Sequence, residues 1–384
     1  MVLSVIIVNY NVKYFLEQCL CSVKKAMGEW LVLSSENAVE VFVVDNNSSD
    51  GSVEYLSSRY SFATFISNTQ NVGFAKANNL ALQRATGKYV LFLNPDTIVP
   101  GNAFTDCIRF MEKHNDAGGL GVYMADGSGQ FLKESKRGFP SAWVSFCKMS
   151  GLTDLFPSSK LFARYYLGHL PNTNEHKVDV LSGAFMLVRK ETLNKTGGFD
   201  EQFFMYAEDI DLSYRIQKAG YSNYYFPGCQ IIHFKGESTT KDRQYVLLFY
   251  KAMIQFVRKH FHGSVAWLYT LLLKLAIGWK KGKKSAVRSQ NSGGNAGAFY
   301  FTGDKQSITE VKQWVHDKAI TATVENAAAI IFCEGETYSF QQIIQELQRS
   351  PNNKRLFIHG KGTYSIVGSH SNIQQGETVV LHQG

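Results

Sequence analysis

Four short polar blocks follow apolar runs, and each carries side chains able to grip a nucleotide, a metal ion or a proton. Asn9, Tyr10 and Asn11 follow residues 3–8, residues 45–50 follow 39–44, residues 68–73 follow 63–66, and Asn94 to Asp96 follow 89–93. Asp45 opens Asp-Asn-Asn-Ser-Ser-Asp-Gly-Ser. A carboxylate there can accept hydrogen bonds from a base or ribose, with Ser49 or Asp50 capping the next helix, although a plain turn and cap uses the same residues. Asp96 lies in Asn94-Pro95-Asp96, a good turn former. It is also a carboxylate at a strand mouth, and a diphosphate leaving group needs a hard divalent cation, Mg2+ or Mn2+, held by one or two carboxylates and phosphate oxygens.

Two further clusters could finish such a site. Glu208, Asp209 and Asp211 crowd into one helical turn, with Arg215 four residues after Asp211. Helix-dipole complementarity and an i, i+4 ion pair explain that spacing. So does a carboxylate base for an acceptor hydroxyl, its pocket shaped by Phe203, Phe204 and Tyr206. His233 closes Ile231-Ile232-His233 with Lys235 just beyond. They could meet a metal or a diphosphate oxygen, while a strand-end histidine also serves structure alone.

The elements that must position these groups are legible from periodicity. Continuous apolar runs at 3–8, 39–44, 63–66 and 89–93 have the character of strands covered on both faces. Helical sequence at about 13–27, 51–60 and 75–86 separates them. Alternation of this kind predicts a mostly parallel α/β sheet with its ligand at the carboxyl ends of the strands. Residues 120–178 loosen into Gly, Ser, Pro and aromatics, as acceptor loops or a flap would. A strand over 179–189, a helix over 208–219 and a strand over 229–234 complete the unit.

The chain then changes character. Residues 244–279 are apolar and helical but too interrupted for a spanning helix, so they suit an interfacial or packing role. Lys280, Lys281, Lys283, Lys284 and Arg288 follow, accounting for much of the net charge of +8. A basic run beside an apolar helix and without interleaved aromatics fits peripheral contact with an acidic membrane surface rather than a nucleic acid. Residues 289–297 have linker composition. Residues 298–384 are expected to form a small α/β module, with strand, helix and strand at 328–333, 340–349 and 355–359.

Several classes drop out. The six cysteines show no metal spacing and no CxxC pair, which suits buried reduced thiols in the cytoplasm. The N-terminus lacks the basic flank and length of a signal peptide and is expected to be a first strand. Gly360-Lys361-Gly362 lacks the third glycine of a dinucleotide fingerprint, and there is no Walker A loop or HExxH.

In order, residues 8–11, 44–52, 71–74 and 94–96, Ser182-Gly183-Ala184, 198–201 and 208–212 resemble the blocks of inverting family 2 glycosyltransferases of the GT-A fold, in their rhamnosyltransferase-like branch. The resemblance covers residues 1–240. It implies that Asn9, Tyr10 and Asp45 hold the nucleotide, with Asn71 and Gly73 nearby. Asp96 stands at the metal-binding aspartate, and Asn94 replaces the first Asp of that DxD motif, so His233 is expected to help hold the cation. Asp209 matches the catalytic base, Glu208 its neighbour, Ser182 and Gly183 the acceptor wall beside Phe204. Arg215 or Lys235 would steady the departing diphosphate. The implied reaction transfers a sugar from a dTDP- or UDP-linked donor, dTDP-rhamnose first, to a glycan or lipid-linked acceptor at the inner membrane face. A nucleotide-sugar-binding scaffold and a nucleotidyltransferase are the rival readings. No QxxRW motif marks a processive synthase.

Overall fold

The computed structural model describes residues 1–33, 39–237, 243–261, 297–315, 319–350, 354–369 and 376–381. The basic run at 280–288, the apolar stretch beyond 261 and nearly all of the linker at 289–297 lie outside them.

Strand β1 (Leu3–Asn9) is buried throughout. Its side chains alternate between two faces, as a pleated strand requires. Leu3, Val5 and Ile7 pack with Leu16, Leu20 and Val23 of α1 (Lys13–Leu33). Ile6 and Val8 pack with Ala75, Ala77 and Ala81 of α3 (Phe74–Leu82). Helices on both faces are why the run reads as continuously apolar. β2 (Val39–Asp45) and β4 (Tyr89–Leu93) flank β1 in parallel, and β3 (Ala63–Ser67) extends the sheet beyond β2. Register pairs Asn9 with Asp45 and Asp45 with Ser67, so the polar exits come out in line.

The other half is mixed rather than parallel. It comprises β5 (Thr97–Ile98), β6 (Ala117–Ala125), β7 (His176–Val178), β8 (Phe185–Arg189) and β9 (Ser222–His233). The order is β3-β2-β1-β4-β8-β6-β9-β5, with β7 on β9. β8 runs antiparallel to both β4 and β6. It is shorter than the expected 179–189, because residues 179–184 leave the ladder and Ser182, Gly183 and Ala184 line a cavity. β9 begins earlier than expected, since the turn-like Pro227-Gly228 lies in a register break between Val122/Phe226 and Tyr123/Gln230 and does not end the strand. The expected flap is structured: it holds a 3-10 turn (Lys133–Ser135), α5 (Ala142–Ser150) and α6 (Leu152–Leu155). α2 (Ser52–Ser57), α4 (Ala103–Lys113), α7 (Lys190–Thr196) and α8 (Glu208–Lys218) cover the sheet. α9 (Arg243–His260) docks Ala252, Met253, Phe256 and Val257 against Phe203, Ala207 and Ile210. Among the described residues no helix is long and apolar enough to cross a membrane.

The C-terminal sheet comprises β10 (Phe299–Gly303), β11 (Ala329–Cys333), β12 (Arg355–His359), β13 (Ser365–Gly368) and β14 (Glu377–Val380) in that order. The first three are parallel and the last two antiparallel, with α10 (Lys305–Trp314) and α11 (Phe340–Leu347) in the connections. This is the expected α/β module, but it is not independent. Val12, Phe15 of α1, Ile98, Ile232 and Phe234 share one buried cluster with Ile330, Phe340, Ile343, Leu356 and Val367 of the module. Buried polar groups are matched across the seam, as burial demands. Gln18 donates to Thr363 Oγ1 at 2.8 Å and accepts from the Gly360 amide at 2.8 Å. Ser365 Oγ donates to Glu17 at 2.5 Å. Glu237 accepts the Gly376 amide at 2.8 Å, and burial pushes its carboxyl up to about 8 against that hydrogen bond.

A cavity in the shared cluster should therefore destabilise the whole chain. Ile343→Ala is expected to cost about 2–5 kcal/mol, the range for a large aliphatic core truncation. Urea unfolding followed separately by far-ultraviolet circular dichroism and tryptophan fluorescence should shift as one transition. A shift confined to one probe would show that the module unfolds alone.

Candidate active site

The four polar exits meet in a cavity of about 350 Å³. Val8, Tyr10, Asn46 and Asn71 form its first wall. Asn46 ties that wall together: its Nδ2 donates to Asn71 Oδ1 at 3.1 Å, and its Oδ1 accepts from Asn68 Nδ2 at 3.0 Å. Asn9 and Asp45 lie one layer beneath, buried and joined at 2.7 Å, with Asp45 also accepting the Ser48 amide at 2.9 Å. They hold the floor and do not line the cavity. Gly73 is likewise behind the wall. Its φ of +85° and the Phe204 carbonyl, 2.6 Å from where a Cβ would sit, leave room only for glycine. That carbonyl accepts the Phe74 amide at 2.9 Å, while the exposed Phe204 ring stays outside the lining, where Met205 and Tyr206 stand instead.

The second wall is Asn94, Pro95 and Asp96 opposite His233 and Lys235. Pairing of Thr97 with His233 in the β5/β9 ladder brings them together. His233 Nε2 lies 3.4 Å from Asp96 Oδ1 and 3.3 Å from Asn94 Nδ2. Burial works against ionisation of Asp96, but His233 and backbone amides outweigh it and hold the carboxyl below its usual range. Lys235, in the left-handed region at φ 64°, pairs with buried Glu134, whose carboxyl is lowered by that cation in spite of burial.

The third wall is the start of α8 with Ser182, Gly183 and Arg137. Tyr206 and Ala207 hold φ of 71° and 64°, two successive non-glycine residues in a conformation that costs energy and aims the helix into the cavity. Arg137 donates to Asp209 Oδ2 at 2.5 Å and to the Leu181 carbonyl at 2.7 Å. The Gly183 amide also points at Asp209 Oδ2, at 3.3 Å. Glu208 is buried beside it, one carboxylate oxygen unpartnered, and burial together with the Asp209 charge pushes its carboxyl up to about 8. Asp211 faces away. Despite burial, His260, Arg215 and Lys259 hold it at about 2.

Arg215 does not reach the cavity. Its Nε donates to Asp211 at 2.7 Å and its terminal nitrogens to the carbonyls of Thr196 and Gly198, so the expectation that it steadies a diphosphate gives way to a helix-anchoring role. Sequence inspection passed over Asn46, Glu134 and Arg137, and also Lys148, Tyr165 and Tyr166, where the ammonium lies 3.6 Å from the Tyr165 ring centroid. Asn46 was visible within its motif. The others come from the aperiodic stretch and reach the site only through its fold.

The family model for glycosyl transferase family 2 matches residues 4–197, half of the chain. The chain belongs to the family 2 glycosyltransferases. Among relatives of this glycosyltransferase is the N-acetylglucosaminyl-diphospho-decaprenol L-rhamnosyltransferase of Mycobacterium tuberculosis, 29% identical over 252 residues, 63% of this chain and 78% of the relative. Rhamnosyltransferase WbbL of Escherichia coli is 31% identical over 42% of this chain and 61% of its own length. Among solved structures, mannosyltransferase PcManGT from Pyrobaculum calidifontis, in complex with GDP-Man and Mn2+, gives a TM-score of 0.46 at 18% identity, covering 74% of this chain and 76% of that one. The cysteines of the described residues are buried and form no disulfide among themselves.

Glu208 sets a pH dependence of known sign. A carboxyl raised to about 8 on folding binds more protons folded than unfolded between about 4.5 and 8, so its contribution to stability falls as pH rises through that window. The stability of Glu208→Gln relative to the parent chain should therefore grow from pH 5 to pH 8 in urea titrations. A gap that narrows over that range would refute the assignment.

Proposed function

We propose that this glycosyltransferase moves a 6-deoxyhexose, rhamnose, from a dTDP- or UDP-linked donor to a hydroxyl of a lipid-linked or glycan acceptor in cell-envelope polysaccharide assembly. One observation carries the reading: an ionised carboxylate beside a histidine, Asp96 with His233, and a second carboxylate at a helix start, Asp209, line one cavity with Ser182 and Gly183 between them. The activities of the rhamnosyltransferase relatives supply the sugar, and that of the Mycobacterium tuberculosis relative the acceptor class.

Tyr10, Asn46 and Asn71 bind the nucleotide, supported from below by Asn9 and Asp45. The donor set at Asp96, His233 and Asn94 fits a divalent cation, Mg2+ or Mn2+. Nε2 and a carboxylate oxygen converge there, the Asn94 amide lies beside them with its Oδ1 as the atom able to reach a cation, and His233 Nδ1 is buried without a partner. Among the described residues no third His, Cys, Asp or Glu joins them, so diphosphate oxygens would complete the shell. When bound, the cation supplies charge neutralisation to the leaving diphosphate. Asp209 takes the proton of the acceptor hydroxyl as that oxygen bonds to the anomeric carbon and the bond from that carbon to the diphosphate oxygen breaks, with inversion. Lys235 stands beside the departing nucleoside diphosphate, and Lys148 with Tyr165 and Tyr166 lines the approach. An acceptor on a lipid brings the chain to a membrane surface, for which the basic residues at 280–288 are suited.

Asp209→Asn should lower transfer by about 10²–10⁴-fold, the usual worth of a positioned base, with donor affinity within threefold of the parent. Asp96→Ala should abolish the Mn2+-dependent part of nucleotide binding in calorimetry. Transfer by Asp209→Asn within tenfold of the parent would remove the base, and metal-dependent binding by Asp96→Ala would remove the cation site.

A further inference from the structure

Helix α1 presents a second polar pattern that the transferase site does not use. Cys21, Lys24, Lys25, Gly28, Glu29 and Val32 recur at i, i+3, i+4, i+7, i+8 and i+11, which puts them on one helix face. That face forms one wall of a cavity of about 890 Å³, larger than the catalytic one and sharing no lining residue with it. Arg59 and Tyr60, beyond α2, form another wall, and Lys361, Gly362 and Tyr364 of the β12–β13 turn close it.

Three features point to an anionic occupant. Four of the lining side chains are cations, Lys24, Lys25, Arg59 and Lys361, against one acid, Glu29. Lys25 and Lys361 are already paired with Glu334 and Glu336, at 3.1 and 3.4 Å. Among the described residues Lys24 and Arg59 have no ion-pair partner. The Arg59 guanidinium is held between the rings of Tyr55 and Tyr364, at 4.5 and 4.1 Å from their centroids, which fixes its plane while leaving its in-plane donors available. The turn is also preformed: Gln18 binds its Gly360 amide and Thr363 hydroxyl, and Gly362 turns at φ +81°. A Cβ on Gly28 would meet no atom within 4 Å, so the wall is open there, and Val32, Leu33 and the Tyr60 ring give an apolar lining. Finally, the parallel strands β10 to β12 direct their carboxyl ends toward this turn, where a small α/β sheet takes its ligands.

We propose that this cavity is a binding site for an organic phosphate, with Lys24 and Arg59 meeting the phosphate and Tyr60, Val32 and Leu33 the rest of the molecule. Its chemistry is shared by a soluble nucleotide and a phospholipid headgroup.

Calorimetry on the full chain in EDTA, with inorganic pyrophosphate, uridine diphosphate and dihexanoyl phosphatidate as separate probes, decides it. At least one probe should bind one molecule per chain with submillimolar Kd. That affinity should fall at least tenfold in the Lys24→Ala, Arg59→Ala double variant, whose side chains are exposed, and stay unchanged in Lys235→Ala at the catalytic cavity. Tighter binding of the nucleotide or of the phosphatidate identifies the source. Failure of all three probes to bind, or binding that follows Lys235 rather than Lys24 and Arg59, overturns the proposal.

Discussion

Four carboxyl groups line one small cavity, and burying a charge is tolerated only if it is paired or neutralised. Each solves the problem differently. Asp96 takes His233, Glu134 takes Lys235, and Asp209 takes Arg137. Among the described residues Glu208 has no cation of its own and holds its proton, its carboxyl raised to about 8. Each pair joins segments far apart in sequence, so the electrostatics of the site and the folding of the stretch between 120 and 180 are one requirement.

That requirement also accounts for the C-terminal module. His233 and Lys235 stand on either side of Phe234, which is buried in the cluster shared with α11 and β12 and meets the Phe15 ring at a centroid distance of 5.1 Å. Two residues further on, Glu237 is held by the Gly376 amide. The segment that carries His233 and Lys235 is thus pinned by the C-terminal module. A left-handed Lys235 needs such support, because an unsupported chain would relax to a cheaper conformation.

The parallel half of the sheet was legible because a doubly covered strand leaves an unmistakable run and its polar exit follows at once. Residues 89–93 were read to the residue, and Asn9, Asp45, Asn71 and Asp96 were found by that rule. The role of Asn9 and Asp45 was finer than the pattern: register pairs them side by side below the cavity, which no single-strand pattern encodes. Arg215 misled because an arginine near a carboxylate cluster fits two roles, and the choice depends on which way α8 rotates. Arg137 was invisible for the opposite reason. It sits in Lys-Arg-Gly-Phe-Pro, without periodicity, and only the Arg137–Val180 bridge carries it to Asp209.

The charge balance of the cavity bears on its substrate. Three Lys or Arg side chains line it, Arg137, Lys148 and Lys235, against four Asp or Glu. Were all four carboxyls ionised and His233 neutral, an incoming diphosphate would meet a net negative wall, and like charges at these distances cost several kcal/mol in a partly buried site. A proton on Glu208 removes that excess and turns a repelling group into a hydrogen-bond donor beside Asp209. Burial of Glu208 next to Asp209 thus lowers the negative charge of the wall as a further lysine would, without adding a second cation beside Asp209, which already holds Arg137.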